Sequence, residues 1–351
     1  MKAYVLHGVN DIRLEEVDKP GPGKGEVLLK VMACGVCGSD IPRIYQNGAH
    51  NMPLIPGHEF SGIIEEVGEG VSEKLAGKRA GVFPLIPCRE CKPCRDKLYE
   101  MCRSYDYLGS RSDGAYAEYV KVPEWNIIEL PDSVSYEAAA MLEPISVALH
   151  AIRRVDLNKK DRIAVCGMGT IGQLITMILI SSGYSEVYSI GKGSAQKERA
   201  CSSGLLNDRY CDTRKEDTKS WIREKAGDID VYFECVGKNE TLSLGVECAA
   251  PRGRIVTVGN PYSDMTLDRD IYWKILRNQL TVSGTWNSSF THDKDDDWHK
   301  VIDMMQSGLI LPERLITHRL SLSDLEKGLH IMRDKTEDYC KVMMTAETGI
   351  D

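Results

Sequence analysis

Four cysteines fall within the stretch CRECKPCRDKLYEMC, at Cys88, Cys91, Cys94 and Cys102. Their C-x2-C-x2-C-x7-C spacing admits disulfides, an iron–sulfur cluster, a zinc site or nucleophilic chemistry. The N-terminal MKAYVLHGVNDIRLEEV lacks the apolar centre of a signal peptide, so a cytoplasmic location with reduced thiols is expected. Bacterial ferredoxins space their last cysteine by three residues and follow it with proline; here the gap is seven and Arg103 follows. Four thiolates around a tetrahedral Zn²⁺ make a closed structural site with no vacancy for chemistry. A zinc-stapled lobe over roughly residues 84–105 is therefore expected. The competing zinc-ribbon reading, a nucleic-acid module, is disfavoured by the net charge of −8.

A metal that does chemistry needs fewer protein ligands. Cys37 lies in CGVCGSD, His58 and Glu59 in PGHEFSG, and Glu143 in MLEPISV. One thiolate, one imidazole and one or two carboxylates can hold Zn²⁺ and leave room for a substrate oxygen. Taken singly, each has a plainer use: packing for Cys37, a hydrogen-bonded core position for His58, a helix cap for Glu143.

CGMGTIG places Gly167, Gly169 and Gly172 in a G-x-G-x-x-G with Thr170 and Ile171 between the last two glycines. It follows a strand-like RIAVCG and opens a helical TIGQLITMILISSG, the context in which such a turn cradles a dinucleotide pyrophosphate. At the end of the next strand, SIGKGS shows Gly191, Lys192 and Ser194 where an NAD site usually carries an acidic residue. Lys192 and Ser194 suit a 2′-phosphate, which favours NADP; the alternative is a solvated lysine and use of either cofactor.

The elements that position these groups fall into two textures. The first third is strand-rich and broken by Gly and Pro, as in EVLLKVMACG and FSGIIEEVG, which predicts a β-rich, barrel-like domain. SYEAAAMLEPISVALHAIRRV predicts two helices capped by Ser135 and meeting near Glu143, with Pro144 breaking the pattern. From Arg162 strands and helices alternate, which predicts a parallel sheet. The tail carries two amphipathic helices, DKDDDWHKVIDMMQSG and LSDLEKGLHIMR, and a final strand KVMMT. The longest apolar run, Ile171 to Ile180, is too short to span a bilayer, so no membrane partner is expected, and the net charge of −8 disfavours a nucleic-acid partner. At 351 residues the chain has material for two cores.

The order CGVCGSD, GHEFSG, four-cysteine lobe, GAYAEY, LEPISVALHA, CGMGTIG resembles the zinc-dependent medium-chain alcohol and polyol dehydrogenases over essentially the whole chain. The resemblance implies an α/β protein in which a Rossmann doubly wound parallel sheet, residues 154–286, interrupts a GroES-like β-rich catalytic domain, residues 1–153 and 287–351. It implies a catalytic zinc on Cys37, His58 and Glu59 or Glu143, a structural zinc on the four cysteines, NAD(P) as cofactor and a homodimer or homotetramer. The implied chemistry is oxidation of a secondary alcohol of a polyol phosphate, of the galactitol 1-phosphate type, to a ketose phosphate, Ser39 helping to remove the hydroxyl proton. Free-polyol and L-threonine dehydrogenases are the neighbouring readings, and a non-catalytic dinucleotide-binding regulator the distant one. Arg43 and Arg111 are candidates for the substrate phosphate, His50 and Asn287 for polyol hydroxyls, and Lys341, by family position, for the cofactor pyrophosphate. Pro42 stands where alcohol-type members place a relay histidine.

Overall fold

The computed structural model describes residues 1–346, which form two units: Met1–Glu143 with the chain from Ser289 onward, and Pro144–Ser288. In the first, a seven-stranded sheet has the order Ile316–Leu320, Lys341–Thr345, Glu26–Val36, Glu59–Val67, Arg79–Val82, Ile127–Glu129, with Tyr119–Pro123 pairing off Glu26–Val36. Glu26–Val36 is the hub: Val27, Leu28, Leu29, Val31, Ala33 and Cys34 are buried along it, the near-continuous apolar run of a strand covered on both faces. The last strand, Lys341–Thr345, follows the other unit in sequence and pairs antiparallel with this hub, Val342 opposite Val36. This pairing makes the unit discontinuous in sequence.

In the second unit six parallel strands stand in the order Tyr210–Asp212, Val187–Gly191, Ile163–Cys166, Ile229–Glu234, Ala249–Thr257, Thr281–Gly284. The order reverses beside the first strand, Ile163–Cys166, and such a reversal is where doubly wound sheets bind ligands at their carboxyl ends. Ile163, Ala164 and Val165 are fully buried, as expected of a central parallel strand.

The two helices meet close to Glu143, as the sequence suggests. Tyr136–Ala140, capped by Ser135 accepting from the Ala138 N–H at 3.0 Å, ends at Met141, and Leu142–Arg153 begins at once. Pro144 sits in the first turn of the second helix, where no intrahelical hydrogen bond is lost. The boundary between units falls there, at Glu143 and Pro144, rather than after Arg153. No helix among the described residues is long and apolar enough to cross a membrane.

Candidate active site

Register in the seven-stranded sheet converges three sequence-distant segments. Glu26–Val36 delivers Cys37 just past its end, Gly35 pairs with Glu59, and Val36 pairs with Val342 beside Lys341. A β-carbon on Gly35 would lie 2.3 Å from Glu59 Oε2, so only glycine lets the carboxylate cross the strand there. Ligand atoms of Cys37, His58 and Glu59 all lie within 4.8 Å of one another. His58 and Glu59 are 4% and 1% exposed. His58 Nδ1 is buried without a hydrogen-bond partner, 3.5 Å from Asp40 Oδ1. A thiol, a buried imidazole and a carboxylate fit Zn²⁺, and three protein donors leave a coordination position open.

Asp40 holds this group from behind. Its carboxylate accepts from the Cys37 N–H at 3.1 Å, the Tyr116 hydroxyl at 2.7 Å and the Arg43 guanidinium. Burial alone would raise its pKa; His58, Arg43 and Tyr116 outweigh burial and hold it well below the usual carboxylate range. A carboxylate behind a ligating histidine fixes ring orientation. The CGSD motif contains Asp40, and its spacing from Cys37 was the signal that could have found it.

Lys341 is 2% exposed and donates to Glu59 Oε2 at 2.5 Å and to the Val36 carbonyl at 3.2 Å. Desolvation lowers its pKa, but Glu59 and Cys37 outweigh that and hold it charged. This corrects the expectation of a pyrophosphate contact: its ammonium is spent on Glu59. Glu143 lies outside the three-ligand group and accepts from the Tyr107 hydroxyl at 3.2 Å. Desolvation, the largest influence, pushes its carboxyl up to about 7. Ser39 Oγ donates to Cys37 Sγ at 3.3 Å, which favours the thiolate.

Of the proposed substrate contacts, Arg43 is ion-paired with buried Asp40, which removes it as a free phosphate grip. Arg111 stacks 4.4 Å over Tyr105, which in turn neighbours Tyr107 and, through it, His58. His50 is exposed. Asn287 belongs to the other unit, at φ 53°, and its side chain accepts from the Ser288 N–H at 2.9 Å.

The four-cysteine lobe closes as its spacing suggests. Sγ atoms of Cys91 and Cys94 are 3.4 Å apart, Cys88 and Cys94 3.9 Å, Cys91 and Cys102 3.9 Å. A Zn–S length of about 2.3 Å in a tetrahedron requires S···S near ~3.8 Å. Backbone N–H groups of Arg103 and Cys94 bring the Cys91 thiol down to about 6, towards the thiolate a metal needs.

In the second unit Gly167, at φ 100°, turns from Ile163–Cys166, and Gly169 caps the helix Thr170–Ser181. A β-carbon on Gly172 would meet the Gly167 carbonyl at 1.9 Å, so the third glycine is fixed by packing. Thr170 and Ile171 form the helix's first turn and Gly191 ends the neighbouring strand, with exposed Lys192 after it. Backbone donors at a helix N-terminus and a tight glycine approach fit a dinucleotide pyrophosphate.

Comparison with known proteins agrees with both units. Residues 23–132 match the alcohol dehydrogenase GroES-like domain and residues 170–307 the zinc-binding dehydrogenases. Galactitol 1-phosphate 5-dehydrogenase of Escherichia coli K12 is 34% identical over 87% of this chain and 88% of its own length. Sorbitol dehydrogenase of Bacillus subtilis is 29% identical over 98% and 97%. A zinc-binding dehydrogenase of Sinorhizobium meliloti bound to NADP superposes with a TM-score of 0.89 at 27% identity, covering 98% of each chain. The rspB dehydrogenase of E. coli CFT073, complexed with NADH, gives 0.89 at 28% over 98% and 99%.

Proposed function

The chain belongs to the zinc-dependent medium-chain alcohol and polyol dehydrogenases, oxidoreductases that use NAD(P), and we propose that within this family it oxidises a secondary alcohol of a polyol phosphate, of the galactitol 1-phosphate type, to a ketose phosphate. The observation that carries an oxidoreductase reading over a binding module is the second donor set, Cys37, His58 and Glu59, in addition to the closed cysteine lobe. A regulator needs only the lobe.

Two zinc ions per chain are proposed, one on each set, with Glu143 adjacent to the first. A bound Zn²⁺ supplies Lewis-acid charge to the substrate oxygen, and a bound nicotinamide supplies the hydride acceptor. The protein's part is charge and position. Lys341 neutralises Glu59, so the Cys37 thiolate alone offsets the ion and the site keeps its net positive charge. Asp40 orients His58, and Ser39 holds a proton against Cys37 Sγ. Glu143 accepts a hydrogen bond from the Tyr107 hydroxyl beside this donor set, a position from which it can tune the charge around the ion. Preference for NADP rests on the missing carboxylate at Gly191 and on Lys192. The cytoplasm is the proposed location.

Free polyols are the second reading, favoured by the Arg43–Asp40 ion pair, which leaves Arg111 as the remaining named phosphate grip. Rates with galactitol 1-phosphate, sorbitol and L-threonine, each with NAD and NADP, test both. The proposal expects turnover of the phosphorylated polyol and a raised KM for it in Arg111→Ala. Comparable rates on sorbitol would remove the phosphate from the reading, and no turnover of any alcohol by the two-zinc protein would remove the reaction.

A further inference from the structure

The carboxylate that the sequence lacks at the end of Val187–Gly191 has no room to return. A β-carbon on buried Gly191 would lie 2.5 Å from Tyr210 Oη, 2.7 Å from Gln196 Oε1 and 2.8 Å from Met168 Cγ. Both polar groups are held in place: Tyr210 Oη donates to the Gly193 carbonyl at 3.3 Å, and Gln196 Oε1 accepts from the Lys192 N–H at 2.7 Å. They come from different elements, Tyr210 from the adjacent strand and Gln196 from the helix Gly193–Ser202.

Next to this filled space stands a cation that motif spacing does not show. Gly193, at φ 78°, would bring a β-carbon within 3.0 Å of Arg214 Nη1, so the exposed Arg214 lies directly over the turn. Asp212, paired with Gly191 across the sheet, accepts from the Gly193 N–H at 2.9 Å and the Arg214 N–H at 3.1 Å. One carboxylate thus pins both segments. Its own charge is met by those donors and by Lys215 at 3.7 Å; Glu216 is exposed, and its Oε1 accepts from the Asp212 N–H at 3.4 Å. Lys192 is also exposed, and among the described residues neither it nor Arg214 has a carboxylate within ion-pair distance, although the Arg214 charge also helps to stabilise ionised Asp212. The turn lies at the carboxyl end of the parallel strands, where the adenosine ribose of a dinucleotide falls in this fold.

We propose that Arg214, with Lys192, receives the 2′-phosphate of NADP, and that Tyr210 and Gln196 close the space an NAD-type carboxylate would need. The inference rests on the NADP preference proposed above and names its determinants. A guanidinium fork suits a phosphate through paired N–H···O bonds, which the ribose hydroxyl of NAD cannot match.

Titrating the purified full-length protein with NADPH, NADH and 2′,5′-ADP, followed by fluorescence or calorimetry, reads binding without turnover. Arg214→Ala is expected to weaken NADPH and 2′,5′-ADP by about tenfold or more and to change NADH by less than about twofold. Arg214→Lys should recover part of the loss. Gly191→Asp is expected not to tighten NADH, because the new side chain meets Tyr210 and Gln196. Tighter NADH binding in Gly191→Asp would overturn the closure. Unchanged NADPH and 2′,5′-ADP binding in Arg214→Ala, with the wild type still preferring NADPH, would overturn the role of Arg214 alone. A wild type that binds NADH more tightly would instead overturn the NADP reading beneath it.

Discussion

Glu59 and Lys341 form an ion pair in which both side chains are nearly inaccessible, 1% and 2% exposed. A buried charge that loses its partner typically costs about 3–5 kcal/mol. Lys341→Met should therefore lower unfolding stability by roughly that amount, read from urea midpoints. It should also depress activity in the molecules that remain folded, because Glu59 then adds uncancelled negative charge beside the metal. An unchanged urea midpoint would mean that Glu59 finds another partner. At Cys37 the expectation is compositional. Cys37→Ser should drop metal content by one ion per chain, measured by plasma emission, and activity by more than about a hundredfold, the loss that even outer-shell partners reach. Two ions and retained turnover would end the catalytic role of Cys37. The ligand candidates were legible because Cys37, His58 and the four cysteines sit in short motifs. Glu59 pairs with a lysine 282 residues away, and Arg43 reads as a free cation until Asp40 is seen beneath it. Such pairings depend on strand register, which no local pattern carries.

At the scale of elements, the cysteine lobe has only the short helix Lys92–Arg95 and the 3-10 turn Tyr99–Met101 between its ligands, too little apolar structure to hold itself. Cys91→Ser is expected to release the structural ion and lower the thermal midpoint while Cys37, His58 and Glu59 keep theirs; an unchanged midpoint would show the lobe to be dispensable. In the parallel sheet, Arg162 ties the start of Ile163–Cys166 to Asp230: its backbone and side-chain N–H groups donate to Asp230 Oδ2 at 2.9 and 3.1 Å. Desolvation raises the Asp230 pKa, but the Arg162 bonds outweigh it, so the folded value is depressed. A depressed carboxylate stabilises the fold above its unfolded pKa of about 3.9, and that contribution disappears as pH falls through the lower folded value. The stability gap between wild type and Asp230→Asn should be about 1 kcal/mol at pH 7 and close as pH falls through the depressed folded value. A gap that persists in acid would assign the loss to packing. The alternation of strand and helix from Arg162 was legible because those elements are long and periodic. Tyr210–Asp212 and Thr281–Gly284, at three and four residues, are too short to show a period, and with the first of them the setting of Arg214 was missed.

At the scale of the whole molecule, Thr281–Gly284 ends the six-stranded sheet, and among the described residues this edge pairs only towards Ala249–Thr257. Natural sheets protect such edges with charge, proline or a covering element. Here Val282 is 44% exposed, and Trp286 and the helix residues Tyr272, Trp273 and Leu276 are 50–55% exposed. An edge strand that exposes Val282, with exposed Trp286 two residues beyond it, is costly in water unless something pairs with it. A second copy does so without any new surface: two identical strands related by a twofold axis run antiparallel, and every contact is made twice. A homodimer through this edge is the expected assembly, and a tetramer would need a further face. Sedimentation velocity at micromolar concentration should give twice the chain mass for wild type. Val282→Lys with Trp273→Glu should give monomers, because lysine on an edge blocks pairing and the glutamate would be buried unpaired. Monomeric wild type, or a variant that keeps the dimer mass, would place the interface elsewhere. Loss of the dimer with turnover retained would separate assembly from the chemistry at Cys37.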